Sequence, residues 1–447
     1  MQIIKYSGPD DYVSHRGFQV KKTDEGRTCM ESAAIHSAKH ILLIIGLILG
    51  AGSFGGILAS KYKVPDVVLF LLIGIGLGPE MAGLIDVKAD SSFNQLILIF
   101  GSCYILFDGG AGLRFKVLKE VWVTILLLST VGVIITAGIT GYAANLLVGL
   151  PFTTALLFGA VIASTDPATL VPVFKQVPIK ARIAQTVISE SAFNDAMGAI
   201  LAFALLGIVM KNGDGFSLGR AAYYLVSNAM IGVLVGGVLG YAAALLIAHE
   251  KFSFLLEYAP LVTLMSVTGA YMSAENFHAS GFMAVFVFGV VLGNKDSFGF
   301  VMEAQEAEKL DDFILTTSLI MRMFIFVLLG SQVNFVVMGT CLWGGIALAA
   351  VLMFVARPAT VFCCAIPDRK AGWSLNEMLF MCWTRETGVI PGALAGILVG
   401  MKVTGAEVVA SLTCITILMT IIIQATTTRW LAGRLGLLLN RKPEFPV

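Results

Sequence analysis

The sequence predicts an all-α polytopic membrane protein of about thirteen transmembrane helices, and three observations carry that prediction. Of 447 residues, 57% are hydrophobic and only 13% charged, against about 25% charged in an ordinary soluble domain. Mean hydropathy is +0.86 over the whole chain. Apolar runs recur from end to end at about 17 to 25 residues, the length that crosses a hydrocarbon core of about 30 Å.

The expected spans are 40–60, 65–85, 93–112, 120–144, 152–174, 182–210, 220–248, 257–273, 278–293, 312–331, 338–361, 376–400 and 407–428. SAENFH at 273–278 separates two runs that each have crossing length, although a re-entrant pair fits the same pattern. A polar N-terminal extension, 1–38, precedes the membrane domain of 39–430, and a short tail, 431–447, follows it. The extension has no apolar core of its own and so no cleavable signal pattern. Within it and just beyond, His36 and His40 read as a polar helix entry.

Placing the C-terminus in the cytoplasm puts seventeen Lys and Arg in internal loops and tail, and only Lys88, Lys211, Arg220 and Lys402 outside. That asymmetry follows the positive-inside rule for short loops. An odd number of spans then places the N-terminus outside, on the surface of a cell inner or plasma membrane.

Three arginines remain inside or near the ends of spans: Arg322, Arg357 and Arg385. Acids with similar placement are Asp108, Asp166, Glu190, Asp195 and Glu386, with Glu80 after the Gly78-Pro79 break. An ionised side chain at membrane depth costs about 2.5–3.5 kcal/mol on the mildest scale, so each requires a partner or an aqueous cavity. The chain is therefore expected to enclose a polar interior within an apolar shell.

In VISESAFNDAMGAI, 187–200, Glu190 and Asn194 stack on one helix face, and Ser191 and Asp195 on an adjacent one. Glu190 and Asp195 are separated by about 140° around the helix, so they need not serve the same site. The fifth span holds ASTDPATLVPVF, 163–174. Pro167 removes an N–H and disfavours helical geometry at Asp166. A simple proline kink explains Pro167 but not Asp166. A full break explains both, leaving half-helix ends that offer carbonyls and partial charges to an ion.

The twelfth span repeats the irregularity in CWTRETGVIPGALAG, 382–396. Spans four to six and eleven to thirteen thus form two triplets with interrupted middle helices, as inverted repeats produce. Arg385 is expected to neutralise half-helix ends and to pair with Glu190. In ILFDGGAGLRFK, 105–116, the glycines permit close backbone approach. Asp108 there fits either a side chain in a funnel towards Asp195 or a membrane-edge cap.

Taken together, Thr165-Asp166-Pro167, Glu190-Ser191 with Asn194-Asp195, and Arg385 resemble the monovalent cation:proton antiporter family, in its NhaP-like sodium/proton branch. The resemblance spans roughly residues 35–430. It implies a crossed pair of interrupted helices near the membrane midplane, a moving core that includes spans 120–210 and 338–428, a dimerisation scaffold from the remainder, and a homodimer.

By the same resemblance Asp195 alternates between proton and cation, with Asp166, Ser191, Thr165 and Asp108 around a transported Na⁺, Li⁺ or K⁺. Asn194 orders the core, and Glu190 with Arg385 forms a buried ion pair. Family members often carry glutamate where Asp108 stands, and glycine where Glu386 follows the arginine. Glu386 is thus an extra carboxylate able to redirect Arg385. Asn194-Asp195 offers one titrating side chain where electrogenic relatives have two, which favours electroneutral one-for-one exchange.

The expected activity is Na⁺ (or Li⁺) for H⁺ antiport by alternating access; K⁺/H⁺ antiport and a cation channel are the alternatives. A channel is disfavoured by the lack of a TVGYG-like filter. The chain is not expected to be an enzyme or to hold a cofactor. Its seven cysteines lack metal-ligand spacing, GIGLGP at 74–79 lies within a span, and a net charge of +1 gives no nucleic-acid footprint.

Overall fold

The computed structural model describes residues 12–15, 18–22, 28–62, 64–166, 174, 179–210, 218–248 and 255–439. The membrane-spanning body is helical throughout. Eight helices among the described residues are long and apolar enough to cross a bilayer, and shorter apolar helices fill much of the space between them.

In chain order the helices are α1 (Ala33–Tyr62), α2 (Asp66–Leu77), α3 (Ser92–Ala111), α4 (Phe115–Ser129), α5 (Val131–Val148), α6 (Phe152–Val161) and α7 (Ala181–Met210). They continue as α8 (Leu218–Ala248), α9 (Ala259–Asn276), α10 (Gly281–Gly293), α11 (Ala304–Ser331), α12 (Phe335–Ala365), α13 (Leu375–Trp383), α14 (Val389–Gly400) and α15 (Ala406–Arg434).

Three details depart from the expected spans. Strands Tyr12–His15, Phe18–Lys22 and Thr28–Ser32 form a small antiparallel meander in the N-terminal extension, and α1 starts straight after it at Ala33. His36 and His40 therefore lie within the first turns of α1. The fourth span divides at Thr130 (φ −113°, ψ −75°) into α4 and α5. The Ser129 and Thr130 hydroxyls donate to carbonyls at Ile125 and Leu126, absorbing backbone acceptors at the break.

Local chemistry sets several helix starts. Ser91 caps α3, Asn334 caps α12 and Ser280 caps α10 through side-chain oxygens. Ser374 and Glu377 form a capping box at α13. Glu377 also receives Lys180 and Arg182 at 3.1 Å each, and Arg182 stacks 4.3 Å from the Trp373 ring centroid. This cluster clamps the start of α7 to the start of α13. A π turn over Leu352–Ala356 precedes Arg357-Pro358 in α12, and another over Ile421–Ala425 lies in α15. Pro358 has no N–H, which accounts for the first widening of the backbone ladder.

Helix packing relies on small residues where backbones touch. A Cβ on Gly110 would run into the carbonyl of Phe286, and one on Gly289 into that of Phe107. The glycines after Asp108 thus do bring α3 directly against α10, as their spacing suggests.

Candidate functional site

The fifth span breaks earlier than its proline. α6 ends at Val161, Ile162 and Ala163 form a turn, and Ser164, Thr165 and Asp166 run without helical bonding. Pro167 lies outside the described residues. The interruption is held by partners from other elements, which sequence inspection of this segment does not reveal.

Asn194 of α7 is the main one. Thr165 donates its N–H to Asn194 Oδ1 at 3.0 Å, and Asn194 Nδ2 donates to Thr165 Oγ1 at 2.9 Å. The Thr165 hydroxyl also lies 2.8 Å from Ser191 Oγ. These bonds replace the helical ones the chain has given up and set Thr165 against the face that carries Asp195.

The second interruption, between α13 and α14, meets the first. Asp166 donates its N–H to the Glu386 carbonyl at 3.0 Å. Arg385 Nη2 donates to the carbonyls of Ala163 at 2.5 Å and Ile162 at 3.3 Å. It therefore neutralises the negative end of α6, as half of its expected role required.

The other half is corrected by the structure. Glu190 is paired with Arg357, not with Arg385: Arg357 Nη1 lies 2.5 Å from Oε1 and Nη2 2.7 Å from Oε2. The two planar groups meet fork to fork, and Arg357 Nε completes its bonding on the Met381 carbonyl at 3.0 Å. Arg357 and Glu190 are 1% and 2% exposed. Neither Glu190 nor Glu386 is within ion-pair distance of Arg385 among the described residues. The signal for Arg357 was its place among the three membrane-depth arginines, followed by Pro358. What decided the pairing was that Arg385 is occupied by carbonyls.

Gly388 matters for a steric reason: a Cβ there would fall on the Asp166 carboxylate. Gly388→Ala is expected to push Asp166 out of place and cut cation-dependent proton exchange about tenfold or more, as misplacing a reacting group does. Normal expression and wild-type elution with a lowered initial rate in proteoliposomes would check it; an unchanged rate would contradict it.

Asp166 is 1% exposed and Asp195 3%. Asp195 Oδ1 has no hydrogen-bond partner among the described residues, and the charges acting on Asp195 are Asp166 and Arg385. The structure thus brings Thr165, Asp166, Ser191, Asn194, Asp195, Arg385 and the Glu386 backbone together. Asp108 stands apart: the groups acting on it are Ser318, Arg322 and Asp311, and Arg322 lies 3.7 Å from Asp66.

A cavity of about 270 Å³ opens elsewhere, at the ends of α2, α11 and α14 and the start of α15. Its lining includes Glu80, Gln332, Asn334, Ser411 and Glu407, but neither Asp166 nor Asp195.

Two interrupted helices meeting beside buried, hard-oxygen side chains define a secondary transporter built for small cations. The transmembrane family "Sodium/hydrogen exchanger" matches residues 44–434. The chain belongs to that family. It is 31% identical to Na⁺/H⁺ antiporter 1 of Methanocaldococcus jannaschii over 90% of this chain and 96% of that one. It is 28% identical to the K⁺/H⁺ antiporter NhaP of Alkalimonas amylolytica over 79% of this chain and 59% of that one. The solved structure of the Methanocaldococcus jannaschii sodium proton antiporter MjNhaP1 at pH 8 superimposes with a TM-score of 0.74, at 29% identity, covering 89% of this chain and 99% of that one.

Proposed function

We propose that this chain is a multi-pass cell-membrane antiporter that exchanges Na⁺, or Li⁺, for H⁺ by alternating access, one for one. The observation that carries the reading is Asp195. It is a buried carboxylate with an uncommitted oxygen, set beside Asp166 and the Thr165–Ser191 pair, in a member of the exchanger family.

In the proposed cycle the site opens to one side and a cation displaces the proton from Asp195. Asp166, Ser191 and Thr165 supply the remaining oxygens. The loaded core shifts, the site opens opposite, and a proton displaces the cation. Competition for one carboxylate couples the two fluxes without a separate gate. Asn194 keeps the α6 break in register with α7, and the Glu190–Arg357 fork fixes α7 to α12 through the movement. Asp108 contributes from α3 only if the moving core approaches it.

The proposed architecture has thirteen crossings in two inverted triplets, with the interrupted helices crossing near the midplane. Spans 120–210 and 338–428 belong to the moving core, and most of the remainder to a scaffold that forms a homodimer in the lipid bilayer. Residues 1–38 are an external extension and 431–447 a cytoplasmic tail. In that orientation the cavity lined by Glu80 and Glu407 faces outward and serves as a vestibule.

K⁺/H⁺ exchange is the second reading, favoured by the similarity to the antiporter of Alkalimonas amylolytica. Fluorescence dequenching in proteoliposomes, with Na⁺, Li⁺ and K⁺ compared at clamped voltage, separates the readings. Na⁺ and Li⁺ are expected to dissipate a preset proton gradient at a rate that does not change when the voltage is reversed. A response to K⁺ alone selects the second reading, and cation flux without proton movement rejects antiport.

A further inference from the structure

Glu386 is a second acid at the meeting point of the two breaks, and the exchange cycle gives its side chain no task. It is 0% exposed, and neither carboxylate oxygen has a hydrogen-bond partner among the described residues. A buried carboxylate left in this state is costly unless something compensates it.

The residues opposite are fixed by two hydrogen bonds. Trp383 Nε1 donates to Thr427 Oγ1 at 2.8 Å, and the Thr387 N–H donates to Thr420 Oγ1 at 3.2 Å. Between those anchors, 384–386 run alongside the stretch of α15 that contains Gln424. Gln424 is 1% exposed, and among the described residues neither its amide oxygen nor its amide nitrogen has a partner. The Thr387 hydroxyl is likewise buried without one. The two bonds set 384–387, beyond the last turn of α13, alongside 420–427 of α15, so Glu386 and Thr387 lie on the segment that runs past Gln424. Both the donor set and the partial negative charge of a helix C-terminus suit a hard cation.

Charge balance points the same way. Among the described residues around the meeting breaks, Glu190, Asp195 and Glu386 are buried acids and Arg357 and Arg385 are the buried bases. Arg357 is consumed by Glu190. The charged groups acting on Glu386 are Asp166 and Arg357, so among the described residues no free cationic side chain serves it.

We propose that Glu386, Gln424 and Thr387 form a site for a second monovalent cation, bound within the core and separate from the one exchanged at Asp195. The inference rests on the antiport reading only for the choice of a monovalent ion, since it concerns occupancy and not flux.

Equilibrium binding of radioactive sodium to the purified full-length protein in lipid nanodiscs tests it. Wild type is expected to hold two ions per protomer, Asp195→Asn one, Glu386→Gln one, and the double variant none. In the Asp195→Asn background, Gln424→Leu is expected to weaken the retained ion on the order of tenfold or more, the scale seen when a supporting metal-site group is lost. Two outcomes overturn the site: Asp195→Asn losing all bound sodium, or Glu386→Gln binding as wild type does, as it would if Glu386 held a proton. Circular dichroism and thermal melting of each variant identify any that fail to fold, and Glu386→Asp then serves as the milder replacement. Exchange by wild-type proteoliposomes from the same preparation reports on the antiport reading separately.

Discussion

Asp195→Asn is expected to lower cation-dependent proton exchange to the rate of protein-free liposomes while leaving the protein folded. The amide has nearly the same shape as the carboxylate but neither releases a proton near neutral pH nor carries the charge a cation replaces. Its effect on stability is expected to be neutral or favourable. Asp195 is 3% exposed and its Oδ1 has no hydrogen-bond partner among the described residues, so the substitution relieves desolvation and breaks no described bond at that atom. A melting temperature at or above that of wild type, together with abolished dequenching, is the expected pair of results. Residual coupled exchange would remove Asp195 from the centre of the mechanism.

Arg357→Ala is expected to have the largest effect on stability. It leaves the Glu190 carboxylate 2% exposed with both oxygens stripped of their fork and also strands the Met381 carbonyl. Breaking one side of such a pair costs about 3–5 kcal/mol. Replacing both members, as Glu190→Leu with Arg357→Met, is expected to recover most of that loss because no charge is left buried alone. Thermal melting of the single and double variants in detergent checks this. Arg385→Ala provides the contrast: it uncaps the Ile162 and Ala163 carbonyls and leaves the Glu190 fork intact, so its coupling to Glu190→Leu should be weaker than that of Arg357→Met. Strong coupling between Arg385 and Glu190, with none between Arg357 and Glu190, would reverse the assignment.

These two residues also mark the boundary of what the chain alone discloses. Glu190, Ser191, Asn194 and Asp195 lie on one helix, so periodicity was sufficient to separate their faces. The break after α6 was legible from Asp166-Pro167, yet its start at Ile162 was not. Arg385 on the α6 carbonyls and Asn194 on the Thr165 N–H stabilise the opened chain from residues far away in sequence. The family resemblance and the place of Arg385 in the second break likewise suggested Arg385 for Glu190. The guanidinium that reaches it belongs to α12, and no local pattern encodes which of two buried arginines arrives first.

Composition, apolar run length and the positions of Pro, Gly and buried charge determined the membrane class, the interrupted helices and the carboxylates at issue. Each depends on the chain's local exchange of water for hydrocarbon, which every segment carries within itself. Tertiary structure alone decided how those charges are partnered: Glu190 with Arg357, Arg385 with helix ends, and Glu386 with no side chain among the described residues. Ion pairing is settled by distances of a few ångströms between helices remote in sequence, and only the packed bundle sets them.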